Sequence, residues 1–157
     1  MSVCSIIGHR EIAITQKLEE KIRLEVYNLI KSGVDVFLFG SKSQFNELCY
    51  GIVTDLQRFF PNVKRIFVRA EYPIIEDSYY EYLKEFYEDS YYYDIEFNSG
   101  KLNYIKRNER LIECSDYCLF YYDDNYEPKT KTKSGTRLAF DYAVKKGKRI
   151  INVYKLS

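Results

Sequence analysis

Two short apolar runs near the N-terminus each stop at a glycine, and a helical pattern follows each of them. Val3 to Ile7 stops at Gly8, and Asp35 to Phe39 stops at Gly40. A run of this length without polar alternation suits a strand buried on both faces. Between the two runs, Leu18, Ile22, Val26, Leu29 and Ile30 recur at helical spacing, with Thr15 placed to cap the helix and Gly33 just beyond it. Two buried strands joined by an amphipathic helix make a parallel βαβ unit. Nothing else in the chain restricts the fold so strongly.

The pattern continues. Ser43 can cap a second helix with an apolar stripe at Phe45, Leu48, Cys49, Ile52, Val53, Leu56, Phe59 and Phe60, closed by Pro61. Lys64 to Arg69 reads as the third strand. Pro73 keeps Ala70 to Ile75 out of a central strand. Asp77 opens a Tyr-rich helix to about Tyr87, and Tyr91 to Phe97 reads as irregular or as a short extended piece. A helix from Lys101 to about Cys114 is expected to face the core with Leu102, Ile105 and Ile112. The fourth strand is Tyr117 to Tyr122. A helix opening at Ser134 carries Leu138, Ala139, Tyr142 and Ala143 on one side and ends at Gly147. Arg149 to Val153 closes the chain as the fifth strand. The expectation is one α/β domain over residues 1–157. It holds a doubly wound parallel sheet of five strands, in order 3-2-1-4-5, with helices on both faces. Ligands of such sheets sit beyond the strand C-termini where the strand order reverses, here between the first and fourth strands.

Composition narrows the function classes. Lys plus Arg (24) nearly balances Asp plus Glu (23), for a net charge of +1, so there is no general attraction to polyanions and nucleic acid is not an expected partner. No apolar run approaches the roughly 20 residues of a membrane span. The N-terminus lacks the basic and apolar regions of an export signal, and a cytoplasmic location is expected. Cys4, Cys49, Cys114 and Cys118 form no CxxC pair and have a single histidine for company, which speaks against zinc; they read as four buried, reduced thiols. No cofactor is expected. The 17 tyrosines, without a tryptophan, are the compositional oddity. Their cluster between Tyr72 and Tyr93 can pack a helix or an interface, or offer stacking surfaces to a base.

Three segments are delivered to the crevice. Gly8-His9-Arg10 brings a turn, a titratable ring and a fixed cation. Arg10 can bind phosphate bidentately and His9 can meet a ribose or base edge, or both can hold the loop. Gly40-Ser41-Lys42-Ser43 is a small-residue turn into a helix, in which Ser43 can cap, bind a ligand, or do both. Ser134-Gly135-Thr136 opens a helix with two hydroxyls and a glycine that admits close approach, which suits phosphate. Arg107, Asn108 and Glu109 precede the fourth strand, and as polar groups partly on an inward face they line either a structural network or a site. Asp123, Asp124 and Glu127 read as a solvated acidic loop.

The spacing Arg107-x3-Leu111-x3-Ser115-Asp116, a strand, and then Gly135-Thr136 resembles the SLOG superfamily. This Rossmann-like group contains the lonely-guy phosphoribohydrolases and the DprA-type DNA-processing proteins. Ser5-Ile6-Ile7-Gly8-His9-Arg10, Phe39-Gly40-Ser41-Lys42-Ser43-Gln44-Phe45, Val68-Arg69-Ala70-Glu71-Tyr72-Pro73 and Ser134-Gly135-Thr136 look most like its small bacterial YpsA-like branch. The resemblance runs over nearly the whole chain. It implies a nucleotide-type ligand, a nucleoside monophosphate or an ADP-ribose or NAD derivative, and by analogy with lonely-guy proteins a homodimer.

In the lonely-guy enzymes an arginine before the fourth strand and a glutamate three residues after the Gly-Thr pair assist cleavage of an N-glycosidic bond. Arg107 matches the arginine, but the glutamate position is Ala139, which cannot handle a proton. The double glycine before Gly-Thr is absent, and Asn46 stands where many YpsA-like relatives carry Asp. Glu109 and Asp141 are the possible substitute acids, though neither matches by position. The expected function is therefore binding, with Gly8, His9, Arg10, Gly40, Ser41, Ser43, Arg107, Asn108, Ser134, Gly135 and Thr136 as ligand contacts. Arg107 and Glu109 would be the catalytic pair if the chain is an enzyme. A phosphoribohydrolase and a DprA-like single-strand DNA binder are the alternatives.

Overall fold

The computed structural model describes residues 1–70, 77–92, 100–125 and 134–156. It is an α/β fold built on one six-stranded parallel sheet. In chain order the elements are β1 (Ser2–Gly8), α1 (Gln16–Lys31), β2 (Val34–Phe39), α2 (Gln44–Gln57), β3 (Lys64–Arg69), α3 (Asp77–Phe86), β4 (Asp89–Tyr92), α4 (Gly100–Glu113), β5 (Tyr117–Tyr121), α5 (Gly135–Lys145), β6 (Arg149–Asn152) and α6 (Val153–Leu156). The strands lie in the order β4-β3-β2-β1-β5-β6.

Six strands replace the expected five. The five read from the sequence keep their relative order, and β4 adds an edge beside β3. Its sequence, Asp89-Ser-Tyr-Tyr, lacks an apolar run because an edge strand pairs on one side only. The expected extended piece at Tyr91 to Phe97 overlaps it at Tyr91 and Tyr92; residues 93–97 lie outside the described residues, as do 71–75 of the segment around Pro73.

Successive strand residues face opposite sides of the sheet, and each side has its own core. On one side Cys4, Ile6, Phe37, Phe39 and Leu119 pack with Leu18, Ile22, Val26 and Leu29 of α1, Phe45, Cys49, Ile52, Val53 and Leu56 of α2, and Val153 of α6. On the other, Ile7, Cys118 and Phe120 pack with Ile112 of α4 and Ala139 and Ala143 of α5, while Val36, Leu38 and Val68 pack with Leu111. Each fully buried aliphatic side chain contributes roughly 1.5–3 kcal/mol, which is what fixes the helices to their faces.

The caps expected at Thr15 and Ser43 are made, Ser134 caps the helix it is expected to open, and Asp77 is the first residue of α3. Oγ1 of Thr15 accepts from the Leu18 amide, Oγ of Ser43 from Asn46, and Oγ of Ser134 from Arg137. Other local expectations change. α2 stops at Gln57, so Phe59 falls past the helix end and is 75% exposed instead of extending the stripe. Cys114, on the last turn before β5, is exposed; the other three cysteines are buried. Burial pushes the thiols of Cys4, Cys49 and Cys118 up from their ordinary range.

α4 departs furthest from its sequence reading. Its buried face is Asn103, Arg107 and Leu111, spaced by four, with Ile112 beside it, whereas Leu102 is exposed and Ile105 only half-buried. An apolar template misses this face because two of its inward residues are polar. For Arg107 the reason for turning inward lies at the sheet's C-terminal end.

Candidate functional site

The winding reverses at β1, with β2 on one side and β5 on the other. At that reversal, beyond the strand C-termini, a cavity of about 350 Å3 opens. Gly8, His9, Arg10, Gly40, Ser41, Ser43, Arg107, Asn108, Ser134, Gly135 and Thr136 all line it, together with Ile6, Ile7, Lys42 and Leu111. The eleven candidate ligand contacts are thus brought together around one space.

Two glycines make room for the walls. A Cβ on Gly8 would stand 2.3 Å from the Phe45 ring, so only glycine lets α2 close onto the end of β1. A Cβ on Gly40 would stand 3.0 Å from Cδ and Nε of Arg107 and from Cδ1 of Leu111. Its absence lets the Arg107 side chain lie across the end of β2. There Nη1 of Arg107 donates to the Gly40 carbonyl, Nε donates to Oδ1 of Asn108 at 3.1 Å, and the guanidinium sits 5.3 Å from the Tyr104 ring centroid. Arg107 is 3% exposed. A carbonyl and an amide oxygen are among the groups that hold the fork in place.

The α2 wall is internally braced. Asn46, buried, accepts from the Gly40 amide at 3.4 Å and donates to the Ile6 carbonyl at 3.3 Å and to Oγ of Ser43 at 3.2 Å, tying β1, β2 and α2 together. Oγ of Ser41 donates to Oγ of Ser43 at 3.1 Å. The Gln44 amide donates to the Arg10 carbonyl at 2.9 Å, and Oε1 of Gln44 accepts from the Ile12 amide at 2.8 Å, so the loop after β1 is fastened to the start of α2. Arg10 itself is exposed at the rim.

His9 is buried and serves the loop. Its Nε2 accepts from the Asp123 amide at 3.0 Å, which joins the end of β1 to the segment after β5. A ring nitrogen that accepts is unprotonated. Burial lowers the imidazole's affinity for a proton below its ordinary range, opposed in part by the nearby Asp123 carboxylate. His9 therefore holds the loop, through a backbone amide N–H.

The α5 wall is open. Ser134 caps the helix, Thr136 is buried, and a Cβ on Gly135 would meet nothing within 4 Å among the described residues. Residues 126–133 of the preceding loop, with Glu127, lie outside the described residues.

The charge pattern is one-sided. Arg10, Lys42 and Arg107 line the cavity, the N-termini of α2 and α5 both face it, and no carboxylate is among its described lining residues. All of these features favour an anion. Lys42, which lies in the Gly40-Ser41-Lys42-Ser43 segment but is not among the expected contacts, also lines the cavity; its place between Ser41 and Ser43 is the available signal. Glu109 and Asp141, the possible substitute acids, are not among the described residues that line the cavity. Glu109 is half-buried and close enough to Tyr142 of α5 to act on its phenol, Asp141 is exposed, and Ala139 sits in the apolar cluster under α5. Among the described residues, no helix is long and apolar enough to cross a membrane. Comparison with models of known protein families gives no match to this chain, and comparison with curated proteins gives none either.

Proposed function

We propose that the chain is a Rossmann-like domain of SLOG type that binds a nucleotide or nucleotide-derived molecule, of the nucleoside monophosphate or ADP-ribose/NAD kind, as a sensor or binding module. One observation carries this reading. A 350 Å3 cavity at the sheet's reversal point combines Arg10, Lys42, Arg107 and two helix N-termini, with no carboxylate among the described lining residues. In this reading the phosphate lies against Arg107 and the start of α5, where the open backbone at Gly135 admits it and the hydroxyls of Ser134 and Thr136 reach it. α2 supplies the fixed opposite wall.

Binding without hydrolysis is the reading that the positions of the described acids favour. N-glycosidic cleavage needs a group that moves a proton or supports the developing cation. Ala139 stands in apolar packing and Glu109 is not among the described residues that line the cavity, so neither is placed to supply that group.

Calorimetric titration with AMP, NAD, ADP-ribose and its cyclic forms tests the proposal. At least one is expected to bind below millimolar concentration, and Arg107→Met is expected to weaken it roughly tenfold or more, the scale of one charge-assisted contact. If the whole panel fails at millimolar concentration, the proposal is wrong. Release of ribose 5-phosphate from a nucleoside monophosphate, dependent on Arg107, would overturn the non-enzymatic part. The homodimer implied by the resemblance belongs to the same proposal and is checked by light scattering.

A further inference from the structure

A second cavity, of about 190 Å3, lies between α2, β3 and α3. Ser41 and Lys42 line both cavities, so the two share a wall at the end of β2. Where the first is cationic, the second is aromatic: Tyr50, Phe67, Tyr82, Phe86 and Tyr87 line it.

These rings divide into two groups. Tyr50 and Tyr87 are fixed by packing, 5.1 Å apart, with Phe39 5.8 Å from Tyr50 and Phe67 5.3 Å from Tyr87. The Tyr50 hydroxyl also donates to the Phe86 carbonyl and accepts from Nη1 of Arg65. These contacts account for their presence. Tyr82 and Phe86 are 49% and 39% exposed, their ring centroids 4.7 Å apart, and they add apolar ring surface beside the opening without completing the core. Lys42 and Glu47, both exposed, stand at the rim.

We propose that this aromatic cavity receives the base of the same nucleotide whose phosphate occupies the cationic cavity; the inference rests on the nucleotide reading above. The two ends of a nucleotide differ in the same way as the two cavities. The phosphate needs cations and helix N-termini, while the base needs ring faces and few charges. Ser41 and Lys42 lie along the path where the ribose passes. The exposed Tyr82–Phe86 pair supplies the stacking surface, and the Glu47 carboxylate can accept from an amino group on the base, which favours AMP, GMP or CMP over UMP. Together the cavities fall within the roughly 300–1,000 Å3 of ordinary ligand clefts.

The experiment compares ribose 5-phosphate with AMP and GMP by calorimetry, on the wild type and on Tyr82→Ala and Phe86→Ala. Both substitutions are at exposed positions, and circular dichroism and thermal melting verify the fold. One of the two nucleotides is expected to bind at least ~5-fold more tightly than ribose 5-phosphate, the scale of one stacked base. The substitutions should remove that advantage and leave ribose 5-phosphate affinity unchanged. If ribose 5-phosphate binds as well as either nucleotide, or if both variants keep the advantage, the base subsite is refuted while the anion site stands. If none of the three ligands binds, the nucleotide reading falls and this inference falls with it.

Discussion

The two helices that meet the cavity with their N-termini are built on opposite plans. α2 is closed. Its cap Ser43 is buried and receives hydrogen bonds from the Asn46 amide, Nδ2 of Asn46 and the Ser41 hydroxyl, and its Phe45 ring fills the space a side chain on Gly8 would need. α5 begins with a simple cap at Ser134 and an exposed Gly135, where an added Cβ would meet none of the described residues within 4 Å. The same sequence device, a serine before a helix, is thus structural in one place and accessible in the other. The difference teaches that a phosphate-friendly motif has to be judged by how much of its hydrogen-bonding capacity the fold has already used.

Substitutions on the two walls should separate them. Gly8→Ala should have the largest effect: the new Cβ cannot avoid the Phe45 ring, and β1 is held in register with β5 at Tyr121, so a loss of about 3 kcal/mol or more is expected in chemical denaturation. A smaller loss would show that the α2 wall yields. Ser43→Ala should cost about 2 kcal/mol, because it removes a cap and unsettles Asn46, whereas Ser134→Ala should cost about 1 kcal/mol, the ordinary value of a cap. Equal costs would erase the contrast.

Acid should weaken the tie between the end of β1 and the segment after β5. His9 in the folded chain takes up a proton less readily than in the unfolded chain, so the unfolded state binds more protons as pH falls through about 6.5. Its contribution is whole above that pH and is lost progressively below it, and His9→Gln should flatten this part of the stability profile. A profile unchanged by the substitution would remove His9 as the cause. Gly135→Ala should have the smallest effect on stability, within about 1 kcal/mol and tending to stabilise, since the Cβ meets nothing and alanine is the better helix former. It should nevertheless reduce the binding of a phosphate-bearing ligand, and unchanged affinity would place the ligand elsewhere.

What could be read in the sequence followed from how ordinary each element is. The runs at Val3 to Ile7 and Asp35 to Phe39 announce β1 and β2 because a central parallel strand must be apolar on both faces. Thr15, Ser43 and Ser134 announce helix starts because capping is local chemistry. β4 was hidden, since a four-residue edge strand of Asp, Ser and Tyr needs no apolar signature. The inward face of α4 was hidden for the opposite reason: Asn103 and Arg107 are polar, and of the two only Arg107 borders the cavity, which gives a reason for its burial. Around the cavity, the turns after β1 and β2 and the start of α5 were legible as segments because the topology dictates where strand ends go. The division of labour within them was not. That Asn46 braces three elements, or that His9 accepts from the Asp123 amide, depends on partners 40 and 114 residues away in the chain.

Those long separations bear on how the molecule assembles. The His9–Asp123 bond spans 114 residues and the Arg107–Gly40 bond spans 67, while β1 must find β5 after everything between them has been made. Loop closure of that length is entropically late, and contacts of high sequence separation slow folding. The cavity is therefore among the last features to form, and competence to bind should appear with the slowest refolding phase. A ligand held there would grip the junction between the earliest and latest parts of the chain, favouring the fully folded state over any partly folded one.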